Sequence, residues 1–347
     1  MLTSRVPLQG LAAAAAAVVA GIGLFELAAR IGLGPPAVHL LTRPARDVQT
    51  DFDITYAVDR NGRRRGCPPP AAPGRRVAII GDSFAFGAGV GDLEHFAARL
   101  GCAMPGAEIL NFGSIGHDFL YYEIALRSLV PGDADDLILL LYDNDLPPAD
   151  WERGWSRMKR TLYRTSHAVV VLRAAWQAFV RRLRRAEIES IVVDGRPNNV
   201  KVVALTNPGH FDSIAHPPPD RLALFDRALD RFVDRARRVA PRARIFVAVV
   251  PDASTLSRRH RAFFASLADV PLPPLGAPSP FYLRARAACA ALAGCSFIEL
   301  YEALSHEGES LYFPHDLHWN PRGHAVVAGV VRAALDGVER PHSTARD

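Results

Sequence analysis

Beyond residue 75, short and uniformly apolar runs alternate with helical patterns. Val77-Ala78-Ile79-Ile80 is a β-rich run stopped by Gly81, the pattern of a parallel strand buried on both faces. Leu93–Met104 repeats its apolar positions at helical spacing, and Glu108–Asn111 reads as a second short strand. Leu137–Tyr142 (LILLLY) is a third strand, apolar throughout and therefore expected at the centre of a sheet. Arg244–Val250 (RIFVAVV), stopped by Pro251, is the fourth, Ser296–Leu300 the fifth, and Ala325–Leu335 a closing helix. Strands that alternate with helices predict an α/β domain with a central parallel sheet covered on both faces. No internal repeat is present.

The flanks break this pattern. From Pro7 to Phe25 the chain is almost uniformly apolar, with Arg5 before the run and Glu26 and Arg30 after it. Nineteen helical residues span about 28 Å, close to the roughly 30 Å hydrocarbon thickness of a bilayer. Residues 1–30 therefore favour an uncleaved signal anchor, one N-terminal transmembrane helix, over a cleaved signal peptide or an Ala-rich soluble helix. Arg30, Arg43 and Arg46 follow the span, and the positive-inside rule alone leans towards a cytoplasmic C-terminal domain. Residues 31–75 are rich in Pro and Gly and read as a linker that leads from the membrane and partly wraps the domain. The domain itself is assigned to 76–340, with an insertion at about 151–220. Within the insertion, TSHAVVVLRAAWQAFVRRLRRAE is a basic amphipathic segment, and Asn207–Asp220 is rich in Pro and His. The segment reads as a surface helix packed on the domain, or as a lid or membrane-surface element whose Arg181, Arg182, Arg184 and Arg185 face anionic lipid.

Composition narrows the class. Across 347 residues, 49% hydrophobic and 22% charged content excludes wholesale disorder. The net charge of +5 would suit a nucleic-acid binder, but only Lys159 and Lys201 are lysines, and the arginines are spread through the chain. No basic stripe interleaved with aromatics occurs, so nucleic acid is not expected as a partner. Cys67, Cys102, Cys289 and Cys295 contain no C-x-x-C pair and no zinc-site spacing. In an exported protein disulfides are permitted, with Cys289 and Cys295 the closest pair; the alternative is small buried thiols.

The candidate chemistry lies at strand ends, where open α/β sheets bind ligands. Gly81-Asp82-Ser83-Phe84 follows the first strand, and Asn111-Phe112-Gly113-Ser114-Ile115-Gly116 follows the second. Tyr142-Asp143-Asn144-Asp145 follows the third, and Asp316-Leu317-His318 lies beyond the fifth. A carboxylate near a His accepts its ring N–H, fixes the tautomer and leaves the other nitrogen as a base.

In these four blocks the chain resembles the GDSL-type SGNH hydrolases over roughly Arg75 to Leu335. The resemblance implies a three-layer α/β/α, flavodoxin-like fold with Ser83 as nucleophile, His318 as general base and Asp316 as the acid that orients it. It further implies oxyanion donors at Gly116, which fits that family's glycine better than Gly113, and at Asn144. Asp82, Gly113 and Tyr142 are candidate pocket residues. Two positions depart from the family pattern. Tyr142 stands where a Gly usually precedes the Asn, and His315 occupies the usual place of the acid, so the acid falls two residues before His318. That D-x-H spacing also occurs in bacterial SGNH-like polysaccharide acetyltransferases. A metal site formed by His315, His318 and His324 is set aside because the ligand set is compressed; neither metal nor cofactor is expected. The resemblance implies a serine ester hydrolase removing O-acyl groups from a glycan or lipid-type ester. The alternatives are an O-acyltransferase acting on an envelope or exopolysaccharide, and a non-catalytic binding module. It also favours a single-pass inner-membrane protein with a periplasmic domain, against the charge count.

Overall fold

In the computed structural model, the described residues are 20–29, 31, 46–59, 63–152, 191–206, 209–267 and 271–337, with further positions between 154 and 180. A hairpin of β1 (Arg46–Val48) and β2 (Asp53–Thr55) precedes the main sheet. That sheet contains β3 (Arg75–Gly81), β4 (Ala107–Gly113) and β5 (Asp136–Leu141). After a two-residue hairpin, β6 (Val192–Val193) and β7 (Arg196–Pro197), come β8 (Arg244–Val249) and β9 (Cys295–Ile298). Five strands pair in parallel in the order β4-β3-β5-β8-β9, so the LILLLY run is central, as its uniform apolarity predicts.

Alternate residues of each strand feed two separate cores. Ile80, Leu139 and Val247 face the helices Pro219–Val239 and Pro280–Ala291. Val77, Ile79, Ile138 and Phe246 face the helices Phe96–Ala103 and Pro321–Gly337. Both faces are thus covered, giving the α/β/α layering. Pro219–Val239 is absent from the elements predicted above, although Leu224, Phe225, Ala228, Phe232 and Ala236 recur on its buried face. Burial of each Phe contributes about 1.5–3 kcal/mol.

Several boundaries shift for local reasons. The first sheet-covering helix starts at Phe96 rather than Leu93, because the His95 imidazole Nδ1 accepts the Ala98 N–H and caps it. β9 ends at Ile298, and Leu300 already belongs to a helix. Segment 46–75 packs into the domain where it is described. The buried Arg64 guanidinium sits over the Tyr56 and Phe86 rings, 4.7 and 5.2 Å from their centroids, and donates to the Val90 carbonyl. The thiol alternative is overturned: all four cysteines are oxidised, as Cys67–Cys102 and Cys289–Cys295. The first ties segment 63–75 to the helix Phe96–Ala103, and the second ties the helix Pro280–Ala291 to β9.

Among the described residues no helix is long and apolar enough to cross a membrane. Most of the Pro7–Phe25 run, with the transmembrane helix assigned to it, lies outside the described residues; residues 20–29 are helical.

Candidate active site

The chain passes from β3 to β4 on one side and then to β5 on the other, so the carboxyl end of β3 lies at a topological switch point. Ser83 is the first residue of the short helix Ser83–Phe86 at that end. Asp82 caps this helix, its Oδ1 accepting the Phe84 N–H at 2.9 Å.

Ser83 Oγ lies 2.8 Å from His318 Nε2, and His318 Nδ1 lies 2.5 Å from Asp316 Oδ1. The same carboxylate oxygen accepts the His318 backbone N–H at 2.9 Å. An ionised carboxylate only accepts, so Nδ1 carries the ring proton and Nε2 is left to accept from the serine hydroxyl. The loop is braced by Phe313 N–H donating to the His318 carbonyl and Asn320 N–H donating to the Leu311 carbonyl, each at 3.0 Å. Phe84 steadies the imidazole, its ring centroid 4.8 Å from that of His318 and 5.0 Å from that of the fully buried Trp319.

Burial alone would push His318 down. The charge of Asp316 and its hydrogen bond outweigh that and hold the imidazole above its ordinary value. Burial likewise opposes ionisation of Asp316, but the His318 charge and the hydrogen bonds from that residue win, and its carboxyl lies below the usual range. Asp82, also buried, is pushed up to about 6, chiefly by desolvation.

The two loops that flank β3 carry the expected oxyanion donors. Gly113 N–H donates to Asn111 Oδ1 at 2.9 Å and Ser114 N–H to the Gly81 carbonyl at 3.0 Å, so both are already engaged. A Cβ on Gly113 would run into the Phe86 backbone nitrogen, so this glycine serves close packing rather than an open pocket. Gly116 adopts φ +72°, a left-handed conformation that favours glycine, and has open space on its Cβ side. Asn144 is exposed at the tip of the turn after β5. Asp145 closes that turn: its N–H donates to the Tyr142 carbonyl at 2.9 Å, and its Oδ2 accepts the Tyr142 N–H at 2.8 Å. Tyr122 O–H donates to Asp145 Oδ1, also at 2.8 Å.

Two further expectations change here. Tyr142 is buried behind Phe84, with ring centroids 4.9 Å apart and its O–H donating to Asp252 Oδ2 at 2.5 Å. It backs the site instead of lining an open pocket, because the end of β5 directs its side chain into the core. Asp82 is likewise buried as a helix cap.

The remaining histidines face other partners. His315, in the place of the usual acid, is held by Asp51: its backbone N–H donates to Oδ2 at 2.6 Å, and its Nδ1 lies 2.9 Å from Oδ1. His324 is buried, its Nδ1 accepting the Phe96 N–H. Among the described residues no three His, Cys, Asp or Glu side chains are grouped to hold a metal ion. Sequence reasoning missed Asp51 and Tyr122, and gave Asp145, quoted beside Asn144, no role. Only Asp145 has a local signal, as the carboxylate that follows Asn144.

No family model and no curated protein matches this chain. The chain is similar in structure to a lipase, an acetyl xylan esterase and a member of the lipolytic protein G-D-S-L family. Lipase Lip_vut3 from a goat rumen metagenome is 12% identical, with a TM-score of 0.41, over 75% of this chain and 97% of that one. A member of the lipolytic protein G-D-S-L family from Veillonella parvula is 11% identical, TM-score 0.39, over 75% and 97%. The acetyl xylan esterase AlAXEase is 10% identical, TM-score 0.41, over 75% and 99%. These are distant likenesses, and the chemistry follows from the geometry above alone.

Proposed function

We propose that this protein is a serine ester hydrolase that removes O-acyl groups from a glycan or a lipid-type ester. The observation that carries it is the continuous hydrogen-bonded chain from Ser83 Oγ through His318 to the buried Asp316. As Ser83 Oγ attacks the ester carbonyl, its proton passes to His318 Nε2, and Asp316 stabilises the imidazolium. The developing oxyanion is met by the Ser83 N–H, the Gly116 N–H and the Asn144 amide. His318 then protonates the departing alcohol, leaving an acyl group on Ser83. Water, deprotonated by His318, attacks the acyl-enzyme; the acid departs and the proton returns to Ser83.

A second reading, transfer of the acyl group to a glycan hydroxyl, draws on the direct Asp316–His318 pairing in a D-x-H arrangement. Two disulfides support a domain that works outside the reducing cytoplasm, with the N-terminal apolar run as its membrane anchor. The test is a panel of acetyl to long-chain esters, with Ser83→Ala as control and mass spectrometry of the products with a glycan acceptor present. Free acid, abolished in Ser83→Ala, supports hydrolysis. Mainly acylated glycan moves the assignment to transfer, and turnover that survives in Ser83→Ala overturns both.

A further inference from the structure

The helix that begins at residue 167 is apolar on two opposite faces. Inward, Val170 is buried and lines an apolar cleft with Leu120, Tyr121 and Ile124 of the helix Phe119–Ser128. Outward, Leu172, Trp176 and Phe179 fall at i, i+4 and i+7, a single stripe, yet are 59%, 64% and 52% exposed. The rings of Trp176 and Phe179 lie 5.8 Å apart. A surface helix facing only water carries polar residues there.

The helix that bears the stripe is tied to a second apolar segment. Among the described residues, 14 large hydrophobics are exposed; five lie within 22–31 and five within 158–179, so the exposure is concentrated rather than scattered. Glu26 joins the two segments. Its Oε1 accepts the His167 N–H at 3.0 Å, and its Oε2 accepts the Ala168 N–H at 2.9 Å and the Ser166 hydroxyl at 2.7 Å. A carboxylate that closes the apolar run thus caps the N-terminus of the helix bearing the stripe.

We infer that the Leu172–Trp176–Phe179 face lies in the interfacial layer of an anionic phospholipid bilayer, beside the N-terminal apolar run. Two features select lipid over another protein. The apolar run Pro7–Phe25 that Glu26 terminates matches the hydrocarbon thickness, and the chain beyond Phe179 continues at once into Arg181, Arg182, Arg184 and Arg185. Aromatics followed by arginines suit the boundary between acyl chains and anionic headgroups.

The test uses the full chain reconstituted into vesicles of phosphatidylcholine and phosphatidylglycerol whose acyl chains carry bromine, a short-range quencher of indole emission. Of the other three tryptophans, Trp151 and Trp319 are buried and Trp155 is common to both proteins; Trp176→Phe alters an exposed ring, so the variant keeps the fold, with unchanged ester turnover as the check. The wild type is expected to lose a larger fraction of its emission than Trp176→Phe. Equal fractional losses overturn the assignment. So does a Trp176 contribution that bromolipid leaves bright and that becomes shielded from aqueous iodide as protein concentration rises, the mark of a second copy on this face.

Discussion

Replacing Asp316 by Asn removes one proton acceptor and leaves the shape of the site intact. In the native loop Asp316 Oδ1 takes both the His318 ring N–H and the His318 backbone N–H. An Asn with its oxygen in that place still accepts both N–H groups but brings no charge to stabilise the imidazolium; one that turns its NH2 there loses the backbone contact and faces Nδ1 with a donor, so that Nδ1 must be the unprotonated nitrogen. The proton moves to Nε2, facing Ser83 Oγ across 2.8 Å, where it donates instead of accepting. In serine hydrolases this tautomer error lowers kcat by about ten-thousand-fold, which at about 1.36 kcal/mol per tenfold is about 5.4 kcal/mol. Because the side chain volume is retained, the variant is expected to fold. The assay is kcat and kcat/KM on an activated acetyl ester, with circular dichroism and thermal melting alongside. His315→Ala, which removes a ring held by Asp51, is expected to cost far less. A drop below tenfold in Asp316→Asn, or a larger drop in His315→Ala, refutes the Asp316–His318 pairing.

Three further outcomes follow. The acid limb of kcat/KM is set by His318, which must be neutral to accept the proton. Its value is raised, so activity climbs with pH through a midpoint above 6.5, and a midpoint below 6.5 in a pH series on the wild type contradicts this. Asn144→Ala removes the amide proposed as an oxyanion donor and is expected to lower kcat by about a hundredfold to a thousandfold, about 2.7–4 kcal/mol, with little change in Tm because Asn144 is exposed; steady-state kinetics with melting checks both. At the opposite, amino end of the strands, buried Asp136 accepts from Arg75 Nε at 2.6 Å and from Arg244 Nε at 2.7 Å, so Asp136→Ala removes the buried carboxylate that two cations share. It is expected to cost about 3–5 kcal/mol of stability by denaturant titration, with kcat of the folded fraction unchanged.

The five-strand sheet was legible because its three inner strands are runs of six or seven residues whose apolarity reports burial on both faces, and the edge strands β4 and β9 carry short β-rich runs beside them. The hydrogen-bonded set Ser83, His318 and Asp316 was legible because strand-end loops carry their chemistry in a few adjacent residues. What the sequence hid depends on contacts between distant segments. Asp51 meets His315 across 264 positions, and Tyr122 meets Asp145 across 23, with no local pattern to mark either pair. Tyr142 was misplaced because the side-chain direction at the end of a strand depends on how the chain turns, which composition does not report. Cys67 and Cys102, 35 residues apart, meet only because the segment after residue 63 folds back on the helix Phe96–Ala103. The helix Pro219–Val239 was missed although its 3.6-residue period is plain, because the Pro- and His-rich stretch before it reads as loop.

The central claim is that Ser83 is a nucleophile activated by His318. The most direct measurement is the reaction of the folded protein with a serine-directed phosphonate, followed by mass spectrometry of the digested chain. One phosphonyl group on the peptide that contains Ser83, absent in Ser83→Ala and strongly slowed in His318→Ala, is the predicted result. Labelling at another serine, or labelling that persists unchanged in Ser83→Ala, would contradict the account.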